Sequence, residues 1–170
     1  MTQAEHSSTV EQRAEFSAPD GAESTLSLDG LLISFQKLQT RMAHLTASIA
    51  FSLGIGESDL LALIFIANQG GATPKQTGDF VVLSSGAVTN LIDRLVAAGL
   101  VERVPNPNDR RSLLINPTPS GSATVGSIAD LFRRSFRESV RPEHFILLAD
   151  AFATIGESLT RTAEGFVRPV

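Results

Sequence analysis

The residues from Thr73 to Arg111 include two sets suited to touching duplex nucleic acid. Ser84, Ser85, Gly86, Thr89, Asn90 and Arg94 fall on one side of a stretch whose other side is Val88, Leu91, Ile92 and Leu95. Hydroxyls bond base edges or phosphate oxygens, and an Asn amide matches the adenine edge. Gly86 lets a backbone approach a phosphate closely. The second set is Arg110 and Arg111, in the turn-rich, charged run Pro105-Asn106-Pro107-Asn108-Asp109-Arg110-Arg111. A guanidinium at a hairpin tip suits the negative potential of a narrow minor groove. Asp109 beside them is placed to brace the loop. Small polar residues alone also make an ordinary solvated face; the arginines at the loop tip tilt the reading toward DNA.

The elements that position these residues are legible. Thr73-Pro74-Lys75-Gln76 is a helix start, with a capping Thr, a proline at the first helical position and a Gln that completes the capping box. That helix runs to about Val81 and brings Thr73 and Lys75 toward phosphates. Leu83 and Ser84 make a turn, and a second helix runs from Ser85 to Ala98, stopped by Gly99. Leu100–Val104 and Ser112–Ile115 have strand character and form a hairpin with a long tip. Two turn-linked helices followed by an arginine-tipped hairpin make a winged helix-turn-helix.

Around this centre lie longer helices. Leu28 to Phe51 carries apolar residues at 28, 31, 35, 38, 42, 45 and 49, a heptad seam. Ser58 to Ala67 is almost wholly apolar. A penultimate helix spans about Ser120 to Ser139, and Pro142 opens a last helix over about Glu143 to Phe166, with Phe145, Leu148, Phe152, Ile155 and Leu159 at seam spacing. The expected fold class is mainly α with a small β-hairpin wing. The expected division is an acidic tail (1–24), an N-terminal dimerisation helix (25–53), the winged helix-turn-helix (54–118) and C-terminal dimerisation helices (119–170).

Charge and composition bound the chemistry. Among 170 residues there is no cysteine, and His6, His44 and His144 stand far apart. Thiol chemistry is excluded, and no metal or other cofactor is expected. The net charge of −4 divides unevenly: residues 1–30 hold six acids against one arginine, whereas the rest of the chain is +1. Binding to DNA therefore depends on where the arginines sit, not on bulk charge. No apolar run approaches the roughly 20 residues that cross a bilayer, and the first 25 residues lack a secretion signal, so a cytoplasmic location is expected. A GxSxG elbow, a phosphate loop and a paired-carboxylate motif are all missing, so the chain reads as a non-enzyme.

The run LSSGAVTNLIDRLVAAGLVERVPNPNDRRSLLINPTPSG resembles the recognition helix and wing of the MarR family of winged-helix transcription regulators. VTNLIDRL, AGLVER, the Asp-x-Arg-Ser of Asp109, Arg111 and Ser112, and the trailing PTPSG carry the likeness over about 50 residues. The resemblance implies a homodimer, interlocked through its terminal helices, that binds double-stranded DNA at a palindromic operator and represses. It assigns Arg111 to the minor groove, Arg110 to the backbone or groove edge, and Arg94 to phosphate. It also implies a small phenolic or anionic effector, for which Arg41 and His44 on the first long helix are the candidate contacts. One departure stands out. Thr77 and Gly78 replace the usual Leu-Ala, removing a core anchor and a helix former, and predict a loosely held helix. The rival readings are a winged-helix protein-interaction module without DNA binding, and a ligand-binding protein whose DNA lobe has decayed.

Overall fold

Helix signals in the sequence become helix boundaries almost residue for residue. The structure, a computed structural model, describes residues 27–107, 109 and 112–167. Its elements are α1 (Leu28–Ser52), α2 (Glu57–Gln69), α3 (Pro74–Val81), α4 (Ser85–Ala97), β1 (Val101–Pro105), β2 (Leu113–Pro117), α5 (Pro119–Ser139), a single 3₁₀ turn (Pro142–His144) and α6 (Phe145–Val167). The last helix thus starts later than expected, because Pro142 opens the 3₁₀ turn instead. Each strand starts one residue late and extends one or two residues further than the sequence suggests. No single helix among the described residues is long and apolar enough to cross a membrane.

The chain forms two units, one ending at Ile49 and one beginning at Ala50. The first is α1 without its last turn. Ser27 caps it, its Oγ accepting from the Gly30 N–H at 3.1 Å. Along it the seam residues Leu28, Leu31, Phe35, Leu38 and Met42 are all exposed.

The second unit is the winged-helix lobe followed by α5 and α6. Its core is Leu63 and Ile66 of α2, Val88, Leu91, Ile92 and Leu95 of α4, and Leu100, Val101 and Ile115 of the hairpin. These are apolar positions of three elements meeting at one centre, each almost free of solvent, and such burial is the main stabilising term of a small lobe. β1 and β2 pair antiparallel, with Arg103 opposite Ile115. Ala72, in the link between α2 and α3, bridges to Ile115 on the other side, through two hydrogen bonds of 2.8 and 3.0 Å. The hairpin is therefore clamped to the start of α3, a contact that sequence periodicity does not announce.

The helix pair α3–α4 corrects one expectation. Thr77 and Gly78 do not loosen α3; both are buried. The Thr77 hydroxyl turns back on its own helix and donates to the Thr73 carbonyl at 3.0 Å, so the burial leaves no orphan polar group. A Cβ on Gly78 would come within 2.8 Å of Val88 Cγ2. Glycine at this position lets α4 approach α3 where an alanine would hold it off.

The PTPSG segment welds the lobe to α5. Thr118 is the N-cap of α5, accepting from the Gly121 N–H at 3.0 Å. Its hydroxyl donates to the Gly99 carbonyl at 2.7 Å, and its N–H donates to the Leu100 carbonyl at 3.0 Å. A Cβ on Gly121 would run into that same Leu100 carbonyl, so only glycine permits the helix to start this close. Further along, α5 and α6 flank an open cleft of about 510 Å³ that includes Phe132, Phe136, Phe145, Phe152, Arg133 and Arg137 in its lining.

Candidate nucleic-acid interface

The buried stripe of α4 is Val88, Leu91, Ile92 and Leu95, as its spacing predicts. This leaves Ser84, Ser85, Gly86, Thr89, Asn90 and Asp93 exposed. Ser84 takes the N-cap position with extended backbone, yet its hydroxyl makes no capping hydrogen bond. The first N–H groups of an α-helix have no partner within the helix, and together with the helix dipole they favour an anion. Open space surrounds Gly86. Thr89 Oγ1 donates to the Ser85 carbonyl at 3.0 Å, which leaves the exposed hydroxyl oxygen as an acceptor. The tip of α4 is thus a polar, unencumbered surface of hydroxyls, an amide and free N–H groups.

α3 enters the surface from its N-terminus. Thr73 and Gln76 close a reciprocal capping box: Gln76 N–H to Thr73 Oγ1 at 3.2 Å, and Thr73 N–H to Gln76 Oε1 at 2.9 Å. Lys75, in the first turn, is exposed and lies 3.9 Å from Asp79, one turn on. A surface pair of this kind is worth roughly 0–1 kcal/mol, so the ammonium stays available to a phosphate.

Between α3 and α4 the chain turns at Val82, whose φ of 54° and ψ of 50° are left-handed. It is the one non-glycine residue with positive φ among the described residues, and it is 87 % exposed. A β-branched residue in this region is strained. The sequence placed the turn at Leu83 and Ser84; the left-handed residue just before them is what reverses the chain.

Arg94 differs most from its expected setting. Its Nε donates to Asp59 Oδ2 at 2.8 Å and its Nη2 to Asp59 Oδ1 at 2.6 Å. Asp59 belongs to the first turn of α2 and its side chain is fully buried, whereas that of Arg94 remains 55 % exposed. The hydrogen bond to Asp59 holds the guanidinium pKa above its ordinary value. Asp59 also accepts the Gly56 N–H at 3.0 Å. A second tie binds the same helix to the wing: Arg103 Nη2 of β1 meets Asp93 Oδ1 at 2.6 Å. Neither Asp59 nor Arg103 is legible as a site residue from sequence, since each sits on a different element from its partner, 35 residues away for Asp59 and 10 for Arg103.

In the wing, Arg110 and Arg111 lie outside the described residues. The base of the loop is closed by main-chain bonds. Asp109 N–H donates to the Asn106 carbonyl at 3.3 Å, and the Asp109 carbonyl accepts from the Ser112 N–H at 3.0 Å. Asn106 Nδ2 also reaches Ser112 Oγ at 2.9 Å. Asn106 and Ser112 thus close the base of the loop, which Asx and Ser turn chemistry foreshadows. Arg41 and His44 are both exposed on α1. On α5, Arg133 pairs with Asp130 at 2.5 Å.

Residues 53–112 match the family model described as MarR family. The chain is 39% identical over 99 residues to the HTH-type transcriptional regulator YcgE of Bacillus subtilis, covering 58% of this chain and 62% of that protein. It is 35% identical over 83 residues to the multiple antibiotic resistance protein MarR of Escherichia coli, covering 49% of this chain and 56% of that protein. The chain thus spans between half and two thirds of the length of these curated relatives. Among solved structures, a MepR variant from S. aureus superposes with a TM-score of 0.62 at 19% identity, over 76% of this chain and 96% of that one, a likeness of fold. Residues 53–112, from the end of α1 to the wing, thus form a MarR-family segment.

Proposed function

We propose that this chain is a cytoplasmic, dimeric transcriptional regulator that binds duplex DNA at a palindromic operator and represses. The observation that carries the reading is the bare tip of α4, where Ser84, Ser85, Gly86, Thr89 and Asn90 are exposed together and the Ser84 hydroxyl is unspent. Its relatives' names, as transcriptional regulators, support the same reading. In this scheme Asn90, Thr89 and Ser85 meet base edges in the major groove, while Ser84, Gly86, Thr73 and Lys75 meet phosphates. Arg94 turns its outward donors to phosphate. Arg111 enters the adjacent minor groove, Arg110 lies along its edge, and Asp109 braces the wing.

A second copy of the chain completes the molecule. The seam of α1 and the residues Ile146, Leu147, Ile155 and Leu159 of α6 are exposed, and apolar faces of this extent call for a partner. Two lobes related by a two-fold axis address half-sites about one helical turn apart, which is why the operator is palindromic. Arg41 and His44 offer a cation and a hydrogen-bonding imidazole to a small phenolic or anionic effector, whose binding shifts the dimer between two spacings of its lobes.

The test is selection of duplexes from a random library, followed by affinity measurements across salt concentrations. Arg111→Ala is expected to cost roughly 1–3 kcal/mol of operator affinity. A protein that selects no sequence and binds no DNA at low salt refutes the reading and leaves the winged-helix interaction module in its place.

A further inference from the structure

We propose that Asp59 is a positioning residue for DNA recognition: through the guanidinium of Arg94 it sets the rotation of α4 relative to α2, and so where Thr89 and Asn90 point. This rests on the reading of α4 as the recognition helix.

The geometry is that of a fixed jig. The Asp59 carboxylate is fully buried and is itself held by the Gly56 N–H at 3.0 Å. Against it Arg94 presents two donors side by side, Nε at 2.8 Å and Nη2 at 2.6 Å. A two-point fork onto a carboxylate fixes the plane of the guanidinium as well as its distance, which a single-point ammonium does not. On α4, Arg94 lies one turn beyond Asn90 and borders the buried stripe, so pinning it pins the rotation of the helix about its axis. Apolar contacts alone are permissive here, because a helix resting on Leu and Val side chains can rotate slightly at little cost. Hydrogen bonds to base edges tolerate little such error, since they weaken steeply with distance and angle.

Stability alone does not call for this pair. A buried ion pair is often no more stabilising than well-packed apolar residues of similar volume. What the pair supplies is direction. A guanidinium has five donors, and two are spent on Asp59. The remainder face out from a side chain that is half exposed. The Asp93–Arg103 tie to β1 is more exposed and acts as a weaker, second restraint on the same helix.

The experiment uses the full chain, the operator selected by the wild-type protein and a scrambled duplex of equal length. Two variants are measured, Asp59→Asn and Arg94→Lys, each at a temperature where circular dichroism finds it folded. Asp59→Asn removes a negative charge near the binding surface, so simple electrostatics predicts tighter binding to every duplex. Positioning predicts the opposite for the operator: affinity falls at least tenfold, while affinity for the scrambled duplex holds or rises. Arg94→Lys keeps the charge and loses the fork; it is expected to lose operator discrimination at least tenfold with an unchanged dependence on salt. Wild-type discrimination in either folded variant overturns the proposal. Should Asp59→Asn fail to fold, Arg94→Lys, altered at a half-exposed side chain, carries the decision alone. If the wild-type protein itself selects no operator, the regulator reading fails first and the role of Asp59 falls with it, a result distinguishable from a variant that discriminates normally.

Discussion

Gly78 of α3 and Val88 of α4 approach so closely that one added methyl group at Gly78 would come within 2.8 Å of Val88 Cγ2. The Leu83 carbonyl would be in contact as well, at 3.4 Å. Gly78→Ala therefore sets two effects against each other. Alanine favours the helix by about 1 kcal/mol, and overpacking costs roughly 1–3 kcal/mol. The expected result is a net loss of up to about 2 kcal/mol in urea unfolding, and a Gly78→Ala/Val88→Ala double-mutant cycle is expected to give a favourable coupling between the two sites. A single variant more stable than wild type would mean that α3 and α4 are free to separate.

Val82 gives a prediction of opposite sign. Its left-handed backbone costs an L-residue roughly 1–2 kcal/mol, and with 87 % of it exposed little packing offsets this. Glycine removes the strain and adds chain entropy to the unfolded state, about 0.4–1 kcal/mol. Val82→Gly is expected to raise stability by about 0.5–1 kcal/mol. Thermal unfolding checks it, and a lower midpoint refutes it.

The two helix starts of the motif respond differently to the loss of a hydroxyl. Thr73 is a working cap inside a reciprocal box, and Thr73→Ala is expected to cost about 1 kcal/mol of stability. Ser84 is a cap by position only. Ser84→Ala leaves stability within about 0.5 kcal/mol, the usual range for surface changes, and lowers DNA affinity instead. Denaturation and binding measured on the same two variants separate the roles. Equal losses of stability would mean that the Ser84 hydroxyl works as a cap after all.

Self-association is tested through α1. Leu31 and Leu38 are exposed seam residues. Placing charges there by Leu31→Glu and Leu38→Glu buries two carboxylates in the proposed dimer, each several kcal/mol unfavourable without a partner. Sedimentation is expected to find a dimer for the wild-type chain and a monomer for the variant. A dimer that survives both charges places the interface elsewhere.

Much of the fold is written locally. Thr73, Pro74 and Gln76 announce α3 because a cap, a fixed φ and a returning amide act within four residues. Val88, Leu91, Ile92 and Leu95 define the inward side of α4 because helical periodicity is a property of neighbours. Thr77 and Gly78 were misleading for the same reason. By propensity they weaken a helix, and only the packing of α4 against them turns a small residue into an advantage.

The sequence by itself determined which segments are helices, where the hairpin lies and which side of α4 is polar, since caps, turns and periodicity are short-range physics. Only the tertiary structure decided that Asp59 holds Arg94, that Arg103 holds Asp93 and that Ala72 clamps Ile115. Each of these joins different elements of the fold, and nothing in either residue's own neighbourhood names its partner. Charge complementarity permits many pairings among the chain's acids and arginines. The burial of α2 against α4 leaves the Asp59 carboxylate without water, and Arg94 is the group that answers it.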